Sequence, residues 1–295
     1  MLSFGKKMII SLSVVTAIAL SSSADSQITN EKQELTKAKS VLEAYANVAL
    51  VSYSEALNSA KSLKLAIDKF AKNPTQENLN SAKQAWLISR ESYGQTEALR
   101  LSKGPIDAED GWVAEAYGAL EGQINAWPLD ENMIDYTIDE NGKKTSGNII
   151  DTVGVFNPGG EESKEVDVTK ITAEAITALN ENGGEANVAT GYHAIEFLLW
   201  GQDQDYSNFL KDKITKGPMT AGLRSLKDFT SDKNASRRLA YLSASAEKLV
   251  ADLELITSAW TKEVSGTNGL YQAALKGELT GDNASKNIDS TEALK

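Results

Sequence analysis

Apolar residues recur at intervals of three and four from residue 31 to residue 72. Leu35, Ala38, Val41, Leu42, Tyr45, Val48, Ala49, Ser52, Ala56, Ala60, Leu63, Ile67 and Phe70 carry the pattern, and no Gly or Pro interrupts it. That is the period of an amphipathic helix. At ~1.5 Å per residue it predicts a rod about 60 Å long. Asn73-Pro74 stops it, and Thr75 can cap a second helix whose stripe is Leu79, Ala82, Trp86, Ser89 and Tyr93. Gly104-Pro105 ends that helix, expected to run to about Leu101. Two long helices joined by a short turn form an antiparallel hairpin, the start of a bundle.

The pattern then weakens. Short helices are expected near 110–124 and 130–135, followed by an irregular stretch from Asp139 to the turn cluster Asn157-Pro158-Gly159-Gly160. A connection this long is uncommon in a bundle, and such loops are often functional. Thr169 can cap a helix from Lys170 to Leu179. Another helix is expected from Asn187 to Trp200, a loop from Gly201 to Met219, and a long helix starting at Asp232 or Asn234 with Leu239, Leu242, Ala246, Leu249, Leu253, Ile256 and Trp260 on one face. A last short helix spans Leu270 to Leu279. No strand pattern is sustained, so the expected class is all-α. The expected division is 1–24, 25–160 (the hairpin and the irregular segment) and 161–295.

Residues 1–24 read as a secretory signal. Lys6 and Lys7 open it, Met8 to Leu20 is an apolar run, and Ser22-Ser23-Ala24 offers small residues for cleavage. The run is too short to span a bilayer as a helix, and no later stretch is long and apolar enough to do so. An exported chain without a transmembrane segment is expected.

Charge and composition narrow the chemistry. The net charge is −11, which repels phosphate backbones and disfavours nucleic-acid partners. There is no cysteine, so disulfides, thiolate metal sites and cysteine nucleophiles are excluded. Any metal site must use oxygen and nitrogen donors and, with a single histidine, be carboxylate-rich. No P-loop, dinucleotide or nucleophile-elbow glycine pattern is present.

The one histidine, His193, stands three residues before Glu196, on the same helix face. An apolar run, Phe197-Leu198-Leu199-Trp200, follows. The pair reads either as a buried histidine satisfied by a carboxylate, or as a metal ligand or general base. It is neither H-E-x-x-H nor H-x-x-E-H, so zinc-peptidase chemistry lacks its usual ligand set.

Gly191-x-His193-x-x-Glu196, continuing to Asp203, resembles the G-x-H-x-x-E signature of the imelysin-like family, also called peptidase M75 or the iron-regulated protein A group. The run from Trp86 to Arg100, then Gly104-Pro105-Ile106-Asp107, then Trp127-Pro128-Leu129-Asp130 agree with it in order and context. The resemblance implies an all-α, exported bacterial protein of helical-bundle architecture with a role in iron acquisition. Relatives of this kind continue through further helices beyond the equivalent of Lys295, and Ser290 to Lys295 resembles the start of a capped helix.

Sequence and resemblance meet on a few side chains. Glu97 and Arg100, at i and i+3 near the end of the second helix, are expected to share a face. Glu97 then joins His193 and Glu196 as a metal-ligand candidate. Arg100 either neutralises it or anchors an anionic ligand. Asp107 is a further oxygen donor or a turn cap, and Trp127 lines the pocket or plugs a loop. Trp86 and Tyr93 are expected in the core. The expected ligand is a metal ion, iron first and zinc as the alternative, or an iron-linked molecule. A metallopeptidase and a non-catalytic module of an iron- or haem-uptake complex, docking an envelope partner, are the other two readings.

Overall fold

The computed structural model describes residues 8–139, 141–202 and 222–294, with side chains from residue 36 onward. Helix accounts for 57 % of the structure, and the only sheet among the described residues is a two-stranded one. That sheet pairs Val155–Phe156 antiparallel with Val166–Asp167, in the register Val155↔Asp167 and Phe156↔Val166. The chain divides into two compact units, residues 49–271 and residues 1–48 with 272–295.

The larger unit is built on four helices: the C-terminal part of α1 (Met8–Lys72), α2 (Gln76–Gly94), α7 (Gly191–Trp200) and α8 (Ala235–Ser258). α1 follows its predicted stripe from Ala49 to Phe70, with Tyr53 buried in place of the expected Ser52, whereas Val41 and Val48 are exposed. Ala49, Tyr53, Ala56, Ala60, Leu63, Ile67 and Phe70 are buried, and Thr257 of α8 donates to the Tyr53 carbonyl at 3.3 Å. It is one helix from Met8 on, so residues 8–24 continue it as backbone. The expected loop from Gly201 to Met219 falls mostly on residues 203–221, outside the described set. Thr75 caps α2 as expected, its hydroxyl accepting from Asn78 N at 3.2 Å.

α7 is the centre of this unit. It packs against α8 and α2, and the short helices α4 (Glu121–Ile124) and α5 (Glu131–Ile134) also reach it. Tyr192, Ala194, Ile195, Phe197, Leu198 and Leu199 are buried. Helices apolar nearly all round are buried all round, and only His193 and Glu196 break the run. The predicted core residues Trp86 and Tyr93 pack on Tyr192, with ring centroids at 6.4 and 5.1 Å. The Trp86 indole N–H donates to the Tyr192 carbonyl at 2.9 Å.

Several boundaries differ from the sequence reading, among them the end of the last predicted helix, at Leu275 rather than Leu279. α2 stops at Gly94, and Gln95–Leu99 continues as a 3-10 turn, so the helix does not run on to Leu101. α6 (Ala173–Leu179) is capped by Thr172, whose hydroxyl accepts from Ala175 N at 3.2 Å, rather than by Thr169. α7 begins at Gly191, not Asn187. The amides of Ala189 and Thr190 are taken by the Asn180 side chain at 2.9 and 3.2 Å, which holds that stretch extended.

The segment after α2 is ordered by its own apolar residues. α3 (Gly111–Tyr117) ends on Gly118 in the left-handed conformation, and α4 and α5 follow. Ile106, Val113, Tyr117, Ile124, Met133, Ile134, Ile149 and Ile150 are all buried.

Within the smaller unit, Asn287 clamps Leu279. Its side chain accepts from Leu279 N and donates to Leu279 O, both at 2.9 Å. Ile288 N donates to the carbonyl of Ala274, near the end of α9 (Leu270–Leu275). The last helix, α10 (Ser290–Ala293), is capped by Asp289 at 2.8 Å from Thr291 N.

Candidate functional site

The site starts from a glycine. Gly191 has φ +79°, and a Cβ there would sit 2.3 Å from the Ile124 carbonyl oxygen. Only glycine fits both demands. The close approach lets the start of α7 abut residues 122–124. One buried side chain then fastens the junction. Asn180 donates to Gly122 O at 2.8 Å, and its oxygen accepts from the amides of Ala189 and Thr190. The Thr190 hydroxyl donates to Gln123 O at 2.8 Å.

This junction aims His193 and Glu196 outward while Tyr192 anchors inward. His193 Nδ1 lies 3.0 Å from Glu196 Oε2. The imidazole side chain is 18 % exposed and the carboxylate 43 %. A carboxylate at Nδ1 selects the tautomer with the proton there. Nε2 then carries a lone pair and makes no hydrogen bond among the described residues. This is the arrangement in which a carboxylate orients an imidazole for a ligand on its far nitrogen. The Trp127 indole packs on the same ring, its centroid 5.1 Å away.

Trp127 also lines a cleft of about 680 Å³ with Arg100, Glu121, Asn125, Glu181 and Glu185. Arg100 Nη1 pairs with Glu121 Oε1 at 2.7 Å. Two buried atoms of the lining, Arg100 Nε and Asn125 Oδ1, have no hydrogen-bond partner, a state rare in native proteins. Glu181 has φ +56°, unusual for a residue with a Cβ. Its carboxylate is wedged against Gly122, where an added Cβ would meet Oε2 at 2.9 Å. Partial burial first, then the charges of Glu121 and Glu185, push the Glu181 carboxyl above the usual carboxylate range.

The structure brings together His193, Glu196 and Trp127, and it sets Arg100 in the adjoining cleft beside Trp127. It does not put Glu97 with them. Glu97 lies in the 3-10 turn and pairs with Arg90 Nη2 at 3.0 Å. Arg100 has left the helix with extended backbone, ψ 168°, so the expected shared face is absent. Asp107 is a turn cap: one oxygen accepts from Gly104 N at 3.1 Å, the other from Leu101 N. Among the described residues no group of three or more His, Asp or Glu side chains is placed to hold a metal ion. A three-ligand zinc centre of His193, Glu196 and Glu97 is therefore not assembled. The described donors do not by themselves fit a bare ion. The sequence reading missed Asn180, Glu121, Glu181 and Glu185. Nothing local marks them, because their roles arise from contacts distant in sequence, such as Glu121 with Arg100 and Asn180 and Glu181 with Gly122.

The fold is similar to that of a crystal structure described as an iron-regulated protein A precursor from Parabacteroides distasonis. The TM-score is 0.51 at 21 % identity, covering 88 % of this chain and 54 % of that one. A curated relative, "Iron-regulated protein A" of Synechococcus elongatus, is 29 % identical over 83 residues, 28 % of this chain and 20 % of the relative. The chain thus spans about half the length of the solved structure it matches, and its match to the curated relative covers a fifth of that protein. The family described as imelysin, peptidase M75, matches residues 49–294, five-sixths of the chain, and the protein belongs to it.

Proposed function

We propose that this protein serves iron acquisition outside the cytoplasm, and that the corner formed by Trp127, His193 and Glu196 holds an iron-linked ligand. One observation carries the reading: Glu196 occupies His193 Nδ1, and Nε2, with no hydrogen bond among the described residues, lies beside an indole wall at the edge of a cleft. The family and the iron-regulated description of two similar proteins support the link to iron. The signal-like pattern of residues 1–24 and the word precursor in the description of one similar protein support export. Among the described residues no helix is long and apolar enough to cross a membrane.

The donor count favours a ligand that brings its own coordination. An imidazole nitrogen and a carboxylate already committed to that imidazole are fewer donors than N/O iron sites ordinarily draw from protein. A chelated iron needs only one open position filled. Arg100 in the same cleft suits the anionic charge of such a chelate.

The test is a set of calorimetric titrations of the full chain with ferric nitrilotriacetate, Fe(II) and Zn(II). Saturable binding of the chelate that is lost in His193→Ala supports the reading. Binding of the bare ions with equal dependence on His193 replaces it with an ion site, and no binding of any probe overturns it. Chelator-sensitive cleavage of an unstructured polypeptide by the same preparation would favour a metallopeptidase instead.

A further inference from the structure

At the other end of α7, seven residues and about 10 Å along the axis from His193, lies a second cavity. It measures about 200 Å³ and is lined by Tyr136, Lys144, Trp200, Leu223 and Arg224 among others. Arg224 is its deepest charge, with a side chain 1 % exposed. Nη1 donates to Asp135 Oδ2 at 2.5 Å and Nη2 to Phe197 O at 3.4 Å. Nε is buried and has no partner. Buried donors are nearly always paired, and this one belongs to a cation.

The charges around the cavity do not balance. Asp135 is shared between Arg224 and Arg238, and Asp232 pairs with Arg238. Asp228 accepts from the Tyr136 hydroxyl, lies 3.6 Å from Arg224 Nη1 and reaches Lys144 Nζ only at 3.8 Å. Lys144 instead rests over the Tyr136 ring at 3.6 Å, its side chain 53 % exposed. Lys83 sits over the Trp200 ring at 5.2 Å. Burial first and the Arg224 charge second lower the Lys83 pKa. Among the described residues four cations thus surround three carboxylates, in a chain whose net charge is −11. The end of α7 would itself repel an anion, but two of its last carbonyls are occupied. Phe197 O accepts from Gly201 N and Arg224 Nη2, and Trp200 O accepts from Arg224 N.

We propose that this cavity is a subsite for a small oxyanion, a carboxylate or a phosphate, held between Arg224 Nε and Lys144 Nζ against the Trp200 wall. Its volume falls below the ~300–1,000 Å³ of pockets for drug-sized ligands, so the occupant is a small ion or one acidic group of a larger molecule. Guanidinium and ammonium donors to an oxyanion form the stronger, charge-assisted class of hydrogen bond.

The test uses the full chain and follows melting temperature and tryptophan fluorescence in sodium phosphate, sodium succinate and sodium chloride at matched ionic strength. Saturable stabilisation by phosphate, succinate or both, beyond chloride, is expected, and the pattern identifies which oxyanion is preferred. Lys144→Gln should weaken that binding about tenfold, and Lys144→Glu should abolish it. Both variants should fold, because Lys144 is half-exposed. Arg224→Lys, which keeps the charge but lacks Nε, should also lose the effect if it folds. His193→Ala should leave oxyanion binding unchanged, so failure of the iron reading and failure of this one are separable. Identical behaviour in all three salts, or wild-type affinity in Lys144→Gln, overturns the proposal.

Discussion

The Trp127 indole packs on the His193 imidazole with centroids 5.1 Å apart and planes inclined at 57°. The indole is 71 % exposed, so it shields one face of the imidazole while contributing little core. Trp127→Ala should therefore lower stability by no more than about 1 kcal/mol. Affinity for the ferric chelate should fall roughly two- to tenfold, the equivalent of one aromatic contact. Melts and titrations on the same sample check both halves.

His193→Ala and Glu196→Gln test what the pair does for the fold. Removing one member of a fully buried ion pair is strongly destabilising, but Glu196 is 43 % exposed. Each substitution should cost about 0–1 kcal/mol, with helical content unchanged by circular dichroism. A larger loss would return the pair to a structural role.

Gly191→Ala should be far more damaging than a glycine substitution on an open turn. It adds left-handed strain to a 2.3 Å overlap with Ile124 O, together about 2–5 kcal/mol. Gly142→Ala has similar φ, +75°, and nothing within 4 Å, so it should lose only about 1 kcal/mol. Urea denaturation of the two variants measures the difference.

Asp135 holds two buried arginines. Arg238 grips it through Nε at 2.7 Å and Nη2 at 3.1 Å, and Arg224 through Nη1 at 2.5 Å. Asp135→Asn removes the carboxylate they share, leaving Arg238 with Asp232 and Arg224 with the more distant Asp228, and should cost about 3–5 kcal/mol, read from the denaturation midpoint.

The Glu181 carboxyl, raised by partial burial and by Glu121 and Glu185, gives a pH signature. A carboxyl with a raised folded pKa favours the folded state when protonated. Its contribution is fully present below the ordinary carboxylate pKa and is lost as pH rises through the raised value. Glu181→Gln should therefore be more stable than wild type at pH 7, with the advantage vanishing toward pH 4. Thermal melts across that range should show the two curves converge on the acid side.

The all-α class, the long first helix and the Thr75 cap were legible in the sequence because each rests on near neighbours along the chain. So was the pairing of His193 with Glu196, since an i, i+3 spacing means contact wherever the backbone stays α-helical. The same spacing misled at Glu97 and Arg100, where α2 gives way to a 3-10 turn after Gly94 and the two side chains part. A spacing carries no information about where the helix ends. Only the tertiary structure decided the rest. Asn180 meets Gly122 across 58 residues, and Arg238 meets Asp135 across 103. Such pairings follow from which apolar faces pack, not from any local pattern. The glycine of the motif shows both sides. Its presence in G-x-H-x-x-E is plain in the sequence, but its reason is the Ile124 carbonyl 2.3 Å from where a Cβ would stand, a neighbour that only folding brings into reach.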